Sequence, residues 1–190
     1  MKIKKKIIFV IGGPGSGKGT LCQKLKEELN YEHINTGNIL RNIVKNKSHP
    51  KWDELKTQLA DGQLVPSKDY FSFLKNEILI SNKEKILIDG FPRSNENIEI
   101  WEMNMKEEVQ LKAVLFLKCS NEKMLERVLG RNEGRSDDNK ETIIKRIENF
   151  NRYTSKIIDY YKKQGILITF DANKEKNELY NDAVTFLNKI

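Results

Sequence analysis

An apolar run, Ile7 to Ile11, passes directly into Gly12-Gly13-Pro14-Gly15-Ser16-Gly17-Lys18-Gly19-Thr20, and a stretch of helical periodicity follows from Leu21 to Leu29. Strand, glycine turn and helix in that order predict a phosphate site. Glycines let the backbone approach a polyphosphate closely, so that successive N–H groups and the helix N-terminus face its oxygens. Lys18 adds a point charge for the terminal phosphates. The spacing from Gly12 to Gly17-Lys18 meets the P-loop pattern, and the flanking elements supply the context which that pattern requires. The residue after Lys18 is Gly19 where Ser or Thr is usual, and the hydroxyl moves to Thr20. A bound Mg²⁺ is therefore expected to lean on waters, on phosphate oxygens and on Asp89, with Thr20 a weak contributor.

The remaining apolar runs, Tyr31–Ile34, Ile86–Ile88, Ala113–Leu117 and Ile166–Phe170, alternate with helical stretches. Continuous apolar strands separated by helices predict an α/β chain with a parallel sheet covered on both faces. Ligands in such sheets bind beyond the carboxyl ends of the strands. After the third run stands Asp89, placed to hold Mg²⁺ through water, and Gly90 and Pro92 form a turn that aims Arg93 at the site. The segment between Thr36 and Val65 carries few apolar residues and reads as a small insert that closes over a ligand. Ser67 is the expected N-cap of a helix from Lys68 to about Ile80. Asp138 with Glu141 reads as a capping box for a long helix with Ile143, Ile144, Ile147, Phe150, Ile157, Ile158 and Tyr161 on its apolar face.

A chain of 190 residues suits one domain. Its 34 Lys and Arg against 27 Asp and Glu, a net +7, favour anionic partners. The lysines are dispersed without an aromatic-interleaved stripe, which argues against specific nucleic-acid binding. Lys2, Lys4, Lys5 and Lys6 read as a solvated flank of the first strand. No run approaches a membrane span. The two cysteines, Cys22 and Cys119, lack metal-ligand spacing and read as reduced core thiols of a cytoplasmic protein.

GGPGSGKGT together with HINTGNILR, DGQLVP, LIDGFPR and GRSDDN resembles, block by block and in order, the nucleoside monophosphate kinases of the adenylate kinase superfamily. The resemblance covers nearly the whole chain and is nearest to the UMP/CMP branch with a short lid. It implies a three-layer P-loop fold on a five-stranded parallel sheet, a monophosphate-binding insert over residues 36–65 and a lid over 131–138. Residues Gly13 to Thr20 and Arg131 would hold ATP. Thr36, Gly37, Arg41, Val65, Gly90, Arg93, Asn97, Arg135 and Arg146 would hold the acceptor. Lys18, Arg93, Arg131, Arg135 and Arg146 would act on the transferring phosphoryl group, with Asp137 and Asp138 orienting the lid arginines. An ionised phosphate oxygen attacks, so no general base is needed, and His33 and His49 read as structural or surface residues.

Asn97 stands where adenylate kinases typically have Gln. A carboxamide offers both donor and acceptor, and by flipping it could pair with cytosine or uracil. The expected reaction is Mg-ATP-dependent phosphorylation of UMP and CMP, with dCMP a further acceptor to test, by a monomer that binds no membrane. Thr36, typical of adenylate kinases, keeps AMP open as the acceptor. Asn38, in place of Asp or Glu, and a lid two residues shorter than usual keep open a catalytically weak nucleotide-binding homologue.

Overall fold

The computed structural model describes residues 4–130 and 139–190. Arg131, Arg135, Asp137 and Asp138 lie outside the described residues. Strands β1 (Lys5–Gly12), β2 (Glu32–Asn35), β3 (Lys85–Asp89), β4 (Val109–Lys118) and β5 (Leu167–Asp171) form a five-stranded sheet in the order β2-β3-β1-β4-β5. Every pairing is parallel. Helices α1 (Lys18–Leu29), α2 (Thr36–Asn46), α3 (Trp52–Ala60), α4 (Phe71–Ile80), α5 (Asn95–Met105), α6 (Asn121–Leu129), α7 (Lys140–Lys163) and α8 (Lys176–Leu187) cover it.

Side chains alternate across a strand, so β1 sends Ile7, Phe9 and Ile11 to one face and Ile8 and Val10 to the other. The first set meets α2 to α5 and α7; the second meets α1 and α8. Phe9 packs edge-on against Trp101, ring centroids 4.7 Å apart, and against Phe91 at 5.4 Å. Trp101 is thus a core residue. A third cluster, Met124, Val128, Ile143 and Ile147, joins α6 to α7.

Several local expectations change. The segment expected to be too polar for a core layer contributes Ile39, Leu40, Ile43, Leu55 and Val65 to the larger cluster. Ser67 does not cap α4: it opens a 3₁₀ turn over Ser67–Asp69, and its hydroxyl accepts a hydrogen bond from Asn97 Nδ2. Asn139, whose Oδ1 accepts from the Thr142 N–H at 2.9 Å, caps α7 in place of Asp138. Ile144 is solvent-exposed and Cys119 only half-buried.

Lys5 is not a solvated flank. Its Nζ donates to the carbonyls of Ile78 at 2.9 Å and Leu79 at 3.2 Å, and to that of Ser81. These are carbonyls at the C-terminus of α4, which lack helical partners and carry the negative end of the helix dipole. Lys5→Met is expected to destabilise the protein by about 2 kcal/mol, because hydrogen bonds to a charged group are lost. Urea unfolding of the variant beside the parent checks this.

Candidate active site

The parallel register brings the carboxyl ends of β1, β2 and β3 together: Val10 pairs with Asp89, and Asn35 with Asp89. Gly12 then leaves β1 for the glycine turn, and α1 begins at Lys18. Gly15 has φ +75, and a Cβ there would meet Met124 O at 2.5 Å, so only glycine fits between the turn and α6. No side chain caps α1 and its first turn holds no acid. Its first N–H groups, which have no helical acceptor, make an anion site of the helix end.

Lys18 Nζ donates to Gly12 O and Gly13 O, both at 2.8 Å. Burial pushes its pKa down to about 8, although Asp89 pulls upward; Arg93 and Arg146 push it further down. Lys18, Arg41, Arg93 and Arg146 all line one cleft, together with Pro14, Gly37 and Gly90. Four cations from four separate segments thus face one space, which suits a polyanion. Gly13 and Gly15 pack on α6 through Met124, Ser16 is buried, and Thr20 is exposed.

Asp89 is buried at the end of β3. Its Oδ2 lies 3.2 Å from His33 Nε2 and 2.5 Å from Asn35 Nδ2. Burial works to raise its pKa, but the His33 hydrogen bond, the Lys18 charge and the Asn35 hydrogen bond together outweigh it and hold the carboxyl below its ordinary value. Asn35 also caps α2, its Oδ1 accepting from the Asn38 N–H at 2.9 Å. One residue therefore fixes both Asp89 and the helix that carries Arg41.

Asn38 Oδ1 accepts from Arg41 Nη2 at 2.5 Å, so the carboxamide orients that guanidinium without a negative charge. Gly90, with φ +79, leaves room for Arg93: an added Cβ would come within 2.7 Å of its Nη2. Arg93 Nε donates to Gly90 O at 2.6 Å across the cis Phe91–Pro92 bond.

A smaller pocket adjoins the cleft, sharing Leu40, Gln63 and Arg93 with it and adding Thr36, Val65 and Asn97. Thr36 is buried with its hydroxyl against Asp89 O at 3.1 Å and Gly90 O at 3.0 Å. Asn97 is also buried: its Oδ1 accepts from the Arg93 N–H at 2.7 Å and its Nδ2 donates to Ser67 Oγ. Flipping this amide would set its NH₂ against the Arg93 N–H, donor against donor. The buried Tyr70 also takes a side-chain hydrogen bond from Asn97, so the amide is fixed in one orientation and what it still offers a ligand is a lone pair of Oδ1.

Helix α7 contributes more than Arg146. Thr142 Oγ1 donates to Ala60 O at 2.8 Å and Asn149 Nδ2 to Gly62 O at 3.0 Å, which ties the end of α3 to the helix face that carries Arg146. Sequence reasoning did not assign Asn149, Asn35 or His33 to the site. Gln63, within DGQLVP, lines both the cleft and the smaller pocket.

Residues 10–166 match the family model described as Adenylate kinase. The chain is 37% identical over 98% of its length to the UMP-CMP kinases of Sus scrofa and Homo sapiens, covering 99% of each. Against the UMP-CMP kinase of Xenopus tropicalis the identity is 38%, over 94% of both chains.

Proposed function

From the premise that this chain belongs to the adenylate kinase family and is a nucleoside monophosphate kinase with ATP as its phosphoryl donor, we propose UMP and CMP as its acceptors. The carrying observation is the oriented Asn97 carboxamide in the small pocket beside Arg93. Full-length relatives named UMP-CMP kinase support the same reading. The AMP alternative rested on Thr36, whose hydroxyl is spent on two backbone carbonyls. The weak-homologue alternative rested partly on Asn38, which still orients Arg41.

In this reading the segment 36–65 is the acceptor insert and 131–138 the lid. The P-loop N–H groups and Lys18 hold the donor phosphates, while Arg41 and Arg93 hold the acceptor phosphate. Arg146, with Arg131 and Arg135, offsets charge on the equatorial oxygens of the transferring group, and Asp137 and Asp138 orient the lid arginines. Phosphoryl transfer through a loose transition state asks chiefly for alignment and positive charge. The attacking oxygen is already ionised, so the chain supplies no base.

Asp89 fits Mg²⁺ by the chemistry of its donor: it is a carboxylate held ionised, next to Gly19 of the glycine turn. Bound there through water, with Thr20 at most a weak contributor, the ion supplies neutralisation of the donor phosphate oxygens. We also propose a cytoplasmic monomer. The two cysteines, which form no disulfide, support the compartment. Among the described residues no helix is long and apolar enough to cross a membrane.

A coupled assay with Mg-ATP and each of UMP, CMP, dCMP, AMP and GMP tests the acceptor. UMP and CMP are expected to be used well and AMP poorly; AMP as the best acceptor overturns the proposal. Asn97→Gln is expected to lower the efficiency for UMP and CMP relative to AMP by about tenfold or more, the worth of one well-placed hydrogen bond. Unchanged ratios would remove Asn97 as the discriminator.

A further inference from the structure

Two side chains with metal-ligating atoms lie beneath the P-loop, Cys22, which has no role in phosphoryl transfer as described, and His33, whose role there is only to hold Asp89. Cys22 lies on α1 and His33 on β2, and both approach Asp89 at the end of β3. Cys22 Sγ, a His33 ring nitrogen and an Asp89 carboxylate oxygen lie within 4.8 Å of one another. We propose that these three side chains form a binding site for a soft divalent cation of the Zn²⁺ type, distinct from the Mg²⁺ position in front of Asp89.

The donor set argues for that class of ion. Thiolate and imidazole select Zn²⁺ over Mg²⁺, which takes oxygen donors and keeps its waters. Bonds of about 2.3 Å to sulfur and about 2.0 to 2.2 Å to nitrogen and oxygen put tetrahedral ligands roughly 3.3 to 3.6 Å apart. His33 Nε2 and Asp89 Oδ2 already stand 3.2 Å apart, and Cys22 Sγ lies within 4.8 Å of both side chains, so a small contraction closes the set. A thiolate and a carboxylate neutralise the dication while the imidazole stays neutral; Lys18, whose charge Asp89 offsets in the free protein, then loses that partner, which opposes metal and Lys18 charge being held there together. Burial and the Asp89 charge keep the Cys22 thiol protonated in the free protein, so the ion displaces that proton to water. The proton on His33 Nε2 that serves Asp89 moves to Nδ1, and Nε2 becomes a ligand. The three groups sit on a helix and two paired strands, a rigid frame for three ligand atoms.

Loading this site would engage the carboxylate assigned to Mg²⁺, so the filled protein should be a poorer kinase. That consequence rests on the proposed role of Asp89; the binding itself does not. It would also make Cys22 a metal-sensitive element at the base of the donor site, a role that the half-buried Cys119, between β4 and α6, does not share.

Titration of the full chain with Co²⁺, followed by absorbance, tests the site. One equivalent is expected to produce a thiolate-to-cobalt charge-transfer band that Zn²⁺ abolishes by displacement. Cys22→Ala should remove the band, Cys119→Ser should keep it, and His33→Gln should weaken Co²⁺ binding at least about tenfold. Absence of the band, its survival in Cys22→Ala, or its loss in Cys119→Ser overturns the proposal. X-ray absorption at the zinc edge of the unaltered protein needs no variant. A shell with one sulfur is expected, and a shell of oxygen alone overturns it. Binding without loss of transfer activity would keep the site and overturn the Mg²⁺ assignment of Asp89.

Discussion

Lys18→Met is expected to lower kcat about a thousandfold or more while the protein still folds. The side chain supplies a buried charge where the donor phosphates bind, and removing one such preorganised group costs about 10² to 10³ in rate even when the group is neutral. Methionine keeps the length of the stem. The two hydrogen bonds to Gly12 O and Gly13 O are lost, but so is the cost of desolvating an ammonium, so stability should stay within about 1 kcal/mol. Rapid-quench kinetics beside urea unfolding check both halves. Substantial transfer by the variant would contradict the role given to Lys18.

The same residue sets a pH dependence. Its pKa of about 8 means that Lys18 is charged in the free protein below that pH and neutral above it. ATP favours the charged form, so ATP affinity falls as pH rises through about 8, and binding at that pH takes up about half a proton. Calorimetry in buffers of different ionisation enthalpy reads the uptake directly. No uptake at pH 8 would mean that the Lys18 proton is already in place.

Asp89→Asn carries the second large effect. The amide cannot serve as an ionised acceptor for the waters of Mg²⁺, and it meets His33 and Asn35, the two hydrogen-bond donors at 3.2 and 2.5 Å, with one oxygen fewer. A fall in kcat of about a hundredfold or more is expected, with a raised requirement for Mg²⁺. Asp89 also holds the Lys18 pKa up, so its loss should move the fall in ATP affinity to lower pH. Titrations of activity against Mg²⁺, and of ATP affinity against pH, separate these two consequences. An unchanged Mg²⁺ requirement would remove the ion from Asp89.

The parts of this protein that could be read from its sequence are those whose causes are local. The glycine turn, the strand before it and the helix after it depend on neighbours within a few positions, and β3 ends at Asp89 because an apolar run ends there. The sheet followed from alternation alone. What escaped depends on residues far apart along the chain. His33 and Asn35 meet Asp89 only because β2 pairs with β3, and Lys5 caps α4 only because β1 runs beside that helix end. The capping residue of α7 was misassigned because Asp137, Asp138 and Asn139 have near-equal capping preference and only geometry selects among them. Ser67 looked like a cap, but its hydroxyl is engaged by Asn97 from another element.

Asn97 shows how far a motif can mislead by one degree of freedom. Its type and position suggested a carboxamide free to turn toward either pyrimidine. The backbone N–H of Arg93 and the hydroxyl of Ser67 hold it instead. In the proposed function, discrimination between UMP and CMP would fall to how each base settles against a fixed amide, through a shift of the ring or a bridging water.

The bonds from Thr142 to Ala60 and from Asn149 to Gly62 place Arg146 on a helix that the opposite wall of the cleft can pull. In the proposed function, an acceptor that drew α3 inward would also load α7, and a donor that engaged Arg146 would load α3 in return. Thermodynamic reciprocity then requires that each nucleotide alter the other's affinity by the same factor. Two substrates so placed would sense each other without touching, through the side chains of a threonine and an asparagine.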